Sequence, residues 1–367
     1  MQKDSKKTII FSGGGTGGSV TPIIAVAEEL MKNRPDYNYI FIGTKKGPER
    51  ELLASSNLEV DFKFYSLIAG KWRRYFSWQN FFDIFKIIIA FFYSCYYIYK
   101  LKPRVIFSAG AFVSVPLAYA AYFFRVPVVI HQLDLRPGLA NKLMSKVAKV
   151  VSLGFEKSKK SFPKKGIVIG NPVRIKLIKE AKLKKESYRL KFGLEKKKPL
   201  ILVIGGGTGA VALNKLVSET WPFIRNKWQL VHIYGKNKEL DKFKDNDYRA
   251  FSFLPNLDLI SIMAASDLII TRAGLGVLTE ISALAKPAII IPMPNSHQED
   301  NASIFSKEKA AIVYNQKDLN TSKLIEKLNL LSSDKKIMEN LSKKVDNIIS
   351  KGAEKELAMI LENYMEK

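Results

Sequence analysis

The sequence predicts an α/β protein with two doubly wound domains that face each other across a cleft. Three observations carry this prediction. The chain has 367 residues, which suits two domains better than one core. Short apolar segments alternate with helical patterns in both halves, the order that builds a parallel sheet covered by helices. Nearly the same glycine loop occurs twice, as GGGTGG at 13–18 and GGGTGA at 205–210.

The two halves repeat one order of strands and helices. In the first half the strand patterns are 7–12, 37–43, 105–109 and 126–131, with a helix at 21–33. In the second half they are 200–205, 228–235, 248–254, 266–272 and 287–293, with a helix at 211–221. We therefore expect a first domain at 1–170, a second at 171–350, and a carboxyl-terminal helix at 351–367 that packs back on the first domain.

Composition indicates a globular protein with anionic partners. Apolar residues make up 47% and charged residues 25% of the chain, which argues against disorder and fibrous repeats. The single cysteine, Cys95, excludes an intramolecular disulfide and suits a reducing compartment. No cleavable amino-terminal signal is recognisable, so we expect a cytoplasmic protein. The net charge of +25 favours nucleic acid, phosphorylated metabolites or an acidic lipid surface.

Each glycine loop lies between a strand and a helix, where it can cradle a phosphate. Glycine lets backbone N–H groups approach an anion at the positive end of the following helix. A nicotinamide enzyme would add an acid at the end of the second strand, but these strands end in GTKK at 43–46 and GK at 235–236. NADP stays a minor alternative because lysines suit a 2′-phosphate, and turns without a ligand are the structural alternative.

The segment 267–302 is rich in groups that suit a nucleotide sugar. A strand runs into RAGLG at 272–276, a second glycine turn at a helix start. Glu280 follows in the first turns of that helix, where a carboxylate can accept both hydroxyls of a ribose. The polar run SHQEDN at 296–301 offers hydrogen bonds to a sugar. The structural alternatives are that Glu280 interacts with the helix dipole and that the polar run is a turn.

Five motifs in register resemble the MurG family of peptidoglycan glycosyltransferases: the two glycine loops, GNPVR at 170–174, RAG followed by Glu280, and HQEDNA at 297–302. That family transfers N-acetylglucosamine from UDP to lipid I, which is undecaprenyl-pyrophosphoryl-MurNAc-pentapeptide. The resemblance spans nearly the whole chain. It implies the GT-B fold of two Rossmann-like domains, an inverting transfer, and no metal or cofactor. A DND triplet at 245–247 looks like the metal motif of other glycosyltransferases, but we expect a solvated loop there.

The resemblance assigns the donor-binding residues one by one. Glu280 would bind the uridine ribose and Arg174 would lie near the nucleotide. The diphosphate would be bordered by Gly205, Gly206, Gly207, Thr208, Gly274, Gly276 and Val277, the uracil by Phe253 and Leu254, and the sugar by His297 and Gln298. The family commonly has Ser-Gln at 207–208 and Thr at 277, so backbone N–H groups must bind more of the phosphate here.

The first loop would then hold the pyrophosphate of the lipid acceptor, giving one cradle for each diphosphate substrate. Its residues are Gly14, Gly15, Thr16, Gly17, Gly18 and Ser19. The family usually has a histidine where this chain has Ser19, and an unaided serine is a poor base near neutral pH.

Three residues are catalytic candidates: Asp134, His131 and Ser19. In HQLDLRPGLANK at 131–142 the family's acid is displaced by two residues to Asp134. We therefore expect Asp134, oriented by His131, to help deprotonate the attacking sugar hydroxyl. The structural alternative is that Asp134 caps a helix that begins near Pro137.

The aromatic and basic segment at 71–99 is expected to rest on a membrane. Its longest run without charge, Ile87–Tyr99, has 13 residues, against the roughly 20 needed to span a bilayer. Basic residues beside aromatic ones are typical of a segment on an anionic leaflet. We assign 71–86 to lipid and Ile87–Tyr97 to ordinary core helix. The lipid-facing residues are Trp72, Arg73, Arg74, Phe76, Trp78, Phe81 and Phe82.

The sequence thus predicts a peripheral enzyme on the cytoplasmic face of the membrane, with UDP-GlcNAc and lipid I as substrates. No nucleic-acid motif accompanies the basic surface, so no nucleic-acid partner is expected. Two alternatives stay open: a related UDP-sugar transferase with another lipid acceptor, and a non-catalytic UDP-sugar-binding subunit at the membrane.

Overall fold

A computed structural model describes residues 7–15, 17–56, 58, 61–68, 70, 78–205, 210–236, 243 and 245–366, without the side chains of 78–82 and 84. The chain divides into two compact units. The first comprises Met1–Arg174 together with Ser350–Lys367, and the second comprises Ile175–Ile349.

The first unit contains a seven-stranded parallel sheet in the order β3-β2-β1-β4-β5-β6-β7. Its strands are β1 (Thr8–Ser12), β2 (Asn38–Thr44), β3 (Lys63–Leu67), β4 (Pro103–Ser108), β5 (Val128–Gln132), β6 (Val150–Leu153) and β7 (Gly166–Val168). Its helices before residue 175 are α1 (Thr21–Asn33), α2 (Glu49–Ala54), α3 (Trp78–Leu101), α4 (Ser114–Phe123) and α5 (Leu139–Met144).

The second unit contains a six-stranded parallel sheet in the order β10-β9-β8-β11-β12-β13. Its strands are β8 (Leu200–Ile204), β9 (Gln229–Ile233), β10 (Tyr248–Phe251), β11 (Leu268–Thr271), β12 (Ala288–Ile290) and β13 (Ile312–Val313). Its helices are α6 (Ile175–Leu183), α7 (Lys185–Lys191), α8 (Val211–Ile224), α9 (Asn256–Ala265), α10 (Leu275–Leu284), α11 (His297–Lys307), α12 (Thr321–Ser333) and α13 (Lys335–Val345). The last helix of the chain is α14 (Ala353–Met365).

The central strands explain why these segments form parallel sheets. All residues of β1 and β8 are buried, because helices cover both faces of each sheet. Ile10 in β1 pairs with Ile40 on one side and Ile106 on the other. The predicted fold class, two doubly wound parallel-sheet domains of the GT-B type, is confirmed. In both sheets the order reverses beside the first strand, where ligands of such folds bind.

Helix α14 belongs to the first unit and packs against α1. Tyr37 donates a 2.7 Å hydrogen bond from its hydroxyl to the carbonyl of Met365, and Arg34 pairs with Glu366 at 2.8 Å. Leu357 and Leu361 are fully buried. The end of the chain is therefore part of the first unit's fold.

Helix α3 differs from its prediction. Ala90, Ser94 and Ile98 are buried at helical spacing, but Ile88, Phe92 and Tyr96 are 48%, 66% and 53% exposed. The expectation that Ile87–Tyr97 is an ordinary core helix is wrong, because only one face of α3 packs on the unit. Among the residues described, no helix is long and apolar enough to cross a membrane.

Candidate active site

The first glycine loop connects β1 to α1 and is held by side chains of its own unit. Gly14 N–H donates to Ser19 Oγ at 3.0 Å, and Gly15 N–H donates to the carboxylate of Glu49 at 2.7 Å. Gly15 has φ +82°, which glycine adopts readily. Two of the N–H groups predicted to bind pyrophosphate are therefore already engaged. Thr16 lies outside the described residues.

The loop's remaining N–H groups lie at its end. Gly17 and Gly18 open a single 3₁₀ turn that runs to Ser19, so their N–H groups have no partner within that turn. In contrast to Gly14 and Gly15, these two glycines do not donate to Ser19 or Glu49. The Ser19 hydroxyl accepts from Gly14 N and donates to Gly14 O at 3.2 Å. Ser19 thus closes the loop through hydrogen bonds to Gly14, and its predicted catalytic role stays a prediction.

The second glycine loop is described only at its edges. Gly205 N–H donates to the carbonyl of Ile233 at 3.3 Å, which ties the end of β8 to β9. Gly206, Gly207 and Thr208 lie outside the described residues. Their predicted contact with the diphosphate stays a prediction.

The turn before α10 is the better-described of the two turns predicted to border the diphosphate in the second unit. Gly274 caps α10 without a side-chain hydrogen bond, and a Cβ added there would meet no atom within 4 Å. The N–H groups of the first turn, which include Gly276 and Val277, cannot be satisfied within the helix. This open helix start can receive an anion. Arg272, which precedes the turn, is held by hydrogen bonds within the unit. It donates to the carbonyl of Ile291 at 2.9 Å and to Gln316 at 2.6 Å.

Glu280 is the sixth residue of α10, beyond the first turn where a helix dipole acts on a carboxylate. Its side chain is half-buried, and no hydrogen bond or ion pair joins it to another described residue. Burial raises the pKa of Glu280 to about 8. A carboxyl held in poorly solvated surroundings without a protein partner is suited to a ligand that donates hydrogen bonds.

The predicted sugar-binding residues begin α11. His297 is exposed, and Gln298 uses Oε1 to accept the N–H groups of Met293 at 3.0 Å and Ala273 at 3.3 Å. Gln298 therefore joins the turn before α10 to the end of β12. Of the predicted uracil residues, Leu254 is buried and Phe253 is half-buried beneath the ammonium of Lys236, 4.3 Å from the ring centroid.

Arg174 belongs to the first unit, where it forms an ion pair with Glu28 through two contacts of 3.2 Å. Its side chain is 9% exposed, and Nη1 is buried without a hydrogen-bond partner among the described residues. Glu28, on α1, thus fixes the guanidinium and leaves one nitrogen without a partner. The predicted position of Arg174 near the nucleotide stays a prediction.

His131 is a structural residue, and its predicted pairing with Asp134 is wrong. The ring is fully buried at the end of β5, with Nδ1 3.0 Å from Ser152 Oγ and Nε2 3.1 Å from Asn171 Oδ1. Both ring nitrogens are thus committed away from Asp134. Burial lowers the pKa of His131 to about 4, so the ring is neutral at pH 7.

Asp134 lies in a half-buried bend after β5. Gln132 donates to the backbone carbonyl of Asp134 at 2.7 Å and accepts from Asn141 Nδ2 at 2.7 Å. Helix α5 is capped by Gly138 without a side-chain hydrogen bond, so the alternative that Asp134 caps it is wrong. Asn141, which sequence reasoning missed, is buried with Oδ1 unpartnered within the described residues.

A second feature of the first unit is an exposed apolar and aromatic face, which we call the α3–α4 aromatic surface. It comprises Phe85, Ile88, Ile89, Phe92, Tyr93, Tyr96 and Tyr99 on α3, and Tyr122 and Phe123 at the end of α4. Each is at least 45% exposed. Exposed basic residues occur on α3 or directly after α3 and α4 in the chain: Lys86, Lys100, Lys102, Arg104 and Arg125. Of the predicted lipid-facing residues, Trp72, Arg73, Arg74 and Phe76, and the side chains of Trp78, Phe81 and Phe82, lie outside the described part.

The DND triplet has a structural role. Asp245 accepts from Trp221 Nε1 at 3.2 Å and from the N–H of Asp247 at 2.9 Å, while Asp247 pairs with Lys198 at 2.7 Å. Within the described ranges, no group of three His, Cys, Asp or Glu side chains is arranged to hold a metal ion.

Comparison with known proteins agrees with these features. The glycosyltransferase family 28 N-terminal domain matches residues 9–152, and the C-terminal domain of that family matches 200–358. A UDP-N-acetylglucosamine--N-acetylmuramyl-(pentapeptide) pyrophosphoryl-undecaprenol N-acetylglucosamine transferase from Clostridium botulinum (strain Langeland) is 36% identical over 350 residues. This alignment covers 93% of the present chain and 96% of the relative.

Two further comparisons extend the match. A second transferase of the same description, from Bacillus thuringiensis, is 35% identical over 92% of this chain and 95% of its own length. The crystal structure of Acinetobacter baumannii MurG superposes with a TM-score of 0.71 at 24% identity, over 97% of this chain and 99% of that one. The resemblance to the MurG family is confirmed. The chain therefore belongs to glycosyltransferase family 28 and is a glycosyltransferase.

Proposed function

We propose that this protein transfers N-acetylglucosamine from UDP-GlcNAc to the 4-hydroxyl of the MurNAc sugar of lipid I, forming lipid II for peptidoglycan synthesis. The observation that carries the proposal is Glu280, whose carboxyl has no partner among the described residues and lies on the helix that begins beside Gly274. The names of the Clostridium botulinum and Bacillus thuringiensis relatives state this transfer for those proteins.

The second unit binds the donor. Glu280 accepts hydrogen bonds from the two ribose hydroxyls of UDP, which its solvent-poor surroundings favour over water. The N–H groups at the start of α10 bind the diphosphate, where a helix end stabilises negative charge. Because UDP gains charge as it leaves, these donors also stabilise the transition state. Gln298 donates to the sugar through Nε2, since its side-chain hydrogen bonds to the described residues use Oε1.

The first unit binds the acceptor. The N–H groups of Gly17 and Gly18 receive its pyrophosphate at the end of the first glycine loop. Asp134 accepts the proton of the MurNAc 4-hydroxyl while that oxygen attacks C1 of GlcNAc and the bond from C1 to the phosphate oxygen breaks. UDP departs from the opposite face, so the anomeric configuration inverts. No cofactor takes part in this scheme.

The α3–α4 aromatic surface docks on an anionic leaflet, where the lipid acceptor is anchored. Side chains such as Phe92 and Phe123 supply apolar area, and the basic residues near them in the chain attract acidic headgroups. The predicted lipid-facing segment at 71–86 overlaps the first turns of α3 and would extend this surface. We therefore place the enzyme at the cytoplasmic face of the membrane as a peripheral protein.

Release of UDP tests the proposal. We expect the protein to release UDP from UDP-GlcNAc when lipid I is added, and not with undecaprenyl pyrophosphate that lacks the sugar. If UDP is released with a different sugar-bearing lipid but not with lipid I, the protein is a related transferase. If UDP-GlcNAc binds but no acceptor causes release of UDP, the protein is a non-catalytic subunit. Either result would overturn the proposed reaction.

A further inference from the structure

We propose that Glu49 is a positioning residue for the first glycine loop and that it directs the acceptor's pyrophosphate to the Gly17 end of that loop. The inference rests on the proposed function, which it deepens. Glu49 is the first residue of α2, but its carboxylate reaches back into the loop rather than towards solvent. The side chain is fully buried.

The carboxylate of Glu49 joins the two segments that follow β1 and β2. Oε1 accepts from Gly15 N–H at 2.7 Å and from the Thr44 hydroxyl at 2.8 Å, and Oε2 lies 3.1 Å from the same hydroxyl. Within the described residues no Lys or Arg forms an ion pair with Glu49. A buried carboxylate without a cation is costly unless it is hydrogen-bonded, so these two donors are what keep it in place.

Two glycines make room for this carboxylate. A Cβ added at Gly14 would lie 2.2 Å from Glu49 Oε1, and one added at Gly47 would lie 2.1 Å from Oε2. The residues GTKKG at 43–47, which begin within β2 and offered no acid for a nicotinamide ribose, thus form a pocket for the carboxylate of Glu49. The pocket is shaped for a carboxylate of the chain itself.

The consequence for the acceptor is geometric and electrostatic. Gly15 N–H is occupied by a negative charge, and Gly14 N–H is occupied by Ser19, so the first half of the loop cannot receive a second anion. The carboxylate also repels a diphosphate placed there. The N–H groups of Gly17 and Gly18 are then the donors for the pyrophosphate, and Glu49 holds the backbone that presents them.

The test measures KM for lipid I and for UDP-GlcNAc, kcat, and the thermal unfolding midpoint of the full chain. Glu49→Ala should raise KM for lipid I about tenfold or more, since hydrogen bonds to a charged group are lost. KM for UDP-GlcNAc should stay within about twofold, because that substrate uses the other unit. Glu49→Gln keeps an acceptor for Gly15 and should recover most of the lipid I affinity. Glu51→Ala, which removes an exposed glutamate from the same helix, is the matched control.

A second variant removes the carboxylate from its pocket without changing Glu49. Gly47→Ala should raise KM for lipid I as Glu49→Ala does. The double variant should have a KM for lipid I no higher than that of either single variant, because both changes remove the same interaction. Thr44→Val, which deletes the hydroxyl donor, should raise the same KM to a smaller extent. If Glu49→Ala does not fold, Gly47→Ala and Thr44→Val carry the test.

An unchanged KM for lipid I in these variants would overturn the inference, as would equal rises in both KM values. A fall in the unfolding midpoint alone would also overturn it. If the wild-type protein releases no UDP with lipid I, the proposed function fails instead. The role of Glu49 is then measured by calorimetric binding of inorganic pyrophosphate, which Glu49→Ala would have to weaken.

Discussion

Asn301 donates a hydrogen bond of 3.1 Å from its Nδ2 to the backbone carbonyl of Ala273. Asn301 is fully buried on α11, and Ala273 lies in the turn before α10. Gln298, also on α11, accepts the N–H of Ala273. The turn is therefore held at both its amide and its carbonyl before any ligand binds. Such preorganisation would reduce the entropy lost on binding the donor at this turn, as proposed above.

Glu280→Ala should weaken binding of UDP by about tenfold to a hundredfold, because a charged acceptor of two hydroxyls is lost. Glu280→Gln should weaken binding less, since the amide oxygen still accepts one hydrogen bond. Isothermal titration calorimetry with UDP gives the dissociation constants. Glu339→Gln, an exposed position on α13, serves as the control. Unaltered affinity in Glu280→Ala would remove this residue from the donor site.

Binding of UDP should strengthen as pH rises from 6 to 8. The raised pKa of Glu280, about 8, means that the ligand-free carboxyl is mostly protonated at neutral pH. Ribose hydroxyls bind best to the carboxylate, so binding releases a proton and is favoured at higher pH. The dissociation constant should fall by at most about tenfold per pH unit and level off above the pKa. Titrations in buffers of different ionisation enthalpy count the protons, and a flat profile for the wild-type protein would contradict this account.

Asp134→Asn and Asp134→Ala should each lower kcat by about a hundredfold to ten-thousandfold, as expected for loss of a general base. KM for UDP-GlcNAc should change little, because Asp134 belongs to the first unit. Single-turnover rates with saturating lipid I measure the chemical step. Asp36→Asn, an exposed acid of the same unit, is the control. Rates near wild type in both Asp134 variants would exclude it as the base.

Charged substitutions on the α3–α4 aromatic surface should reduce binding to anionic vesicles. Phe92→Glu combined with Phe123→Glu removes two exposed rings and adds two negative charges. We expect vesicle affinity to fall by at least about tenfold, measured by co-sedimentation with phosphatidylglycerol vesicles. Phe223→Glu, at a ring 68% exposed on α8 of the second unit, should have little effect. Equal losses in both proteins would place lipid binding elsewhere.

Acid should destabilise the protein through its two buried histidines. Burial lowers the pKa of His131 and of His232 to about 4, whereas an unfolded histidine titrates near the ordinary value of 6.5. Below pH 6.5 the unfolded state binds the protons, so this stability is complete above pH 6.5 and is lost as pH falls towards 4. The loss approaches about 3 kcal/mol for each ring.

Urea unfolding at pH 7 and pH 4.5 checks this prediction. His131→Asn should lower the free energy of unfolding at pH 7 but show a smaller loss on acidification than the wild-type protein. His297→Asn, at the exposed histidine, should leave the pH dependence of unfolding unchanged. An equal loss on acidification in His131→Asn and wild type would assign the effect to other groups.

Local patterns in the sequence were enough for the fold class. Apolar strands such as TIIFS and LILVI follow from burial between helices, and their alternation with helices permits only a crossover-connected parallel sheet. A glycine turn and a carboxylate on the following helix are local features, so the sequence shows the turn before α10 and Glu280, whose role in donor binding stays a prediction. Strand ends were less certain: β10 stops at Phe251 although the apolar pattern runs to Leu254.

The sequence by itself determined the two parallel sheets, the loops between strand and helix, and the chemical groups available to bind a nucleotide sugar. Only the tertiary structure decided which groups are free to do so. His131 was predicted to orient Asp134, but its ring bonds to Ser152 and Asn171. Glu49, which no motif singled out, accepts a hydrogen bond from Gly15. Hydrogen bonds between residues far apart in the chain occupy donors and acceptors. Burial shifts the pKa of ionisable side chains. Neither effect can be computed from neighbours in sequence.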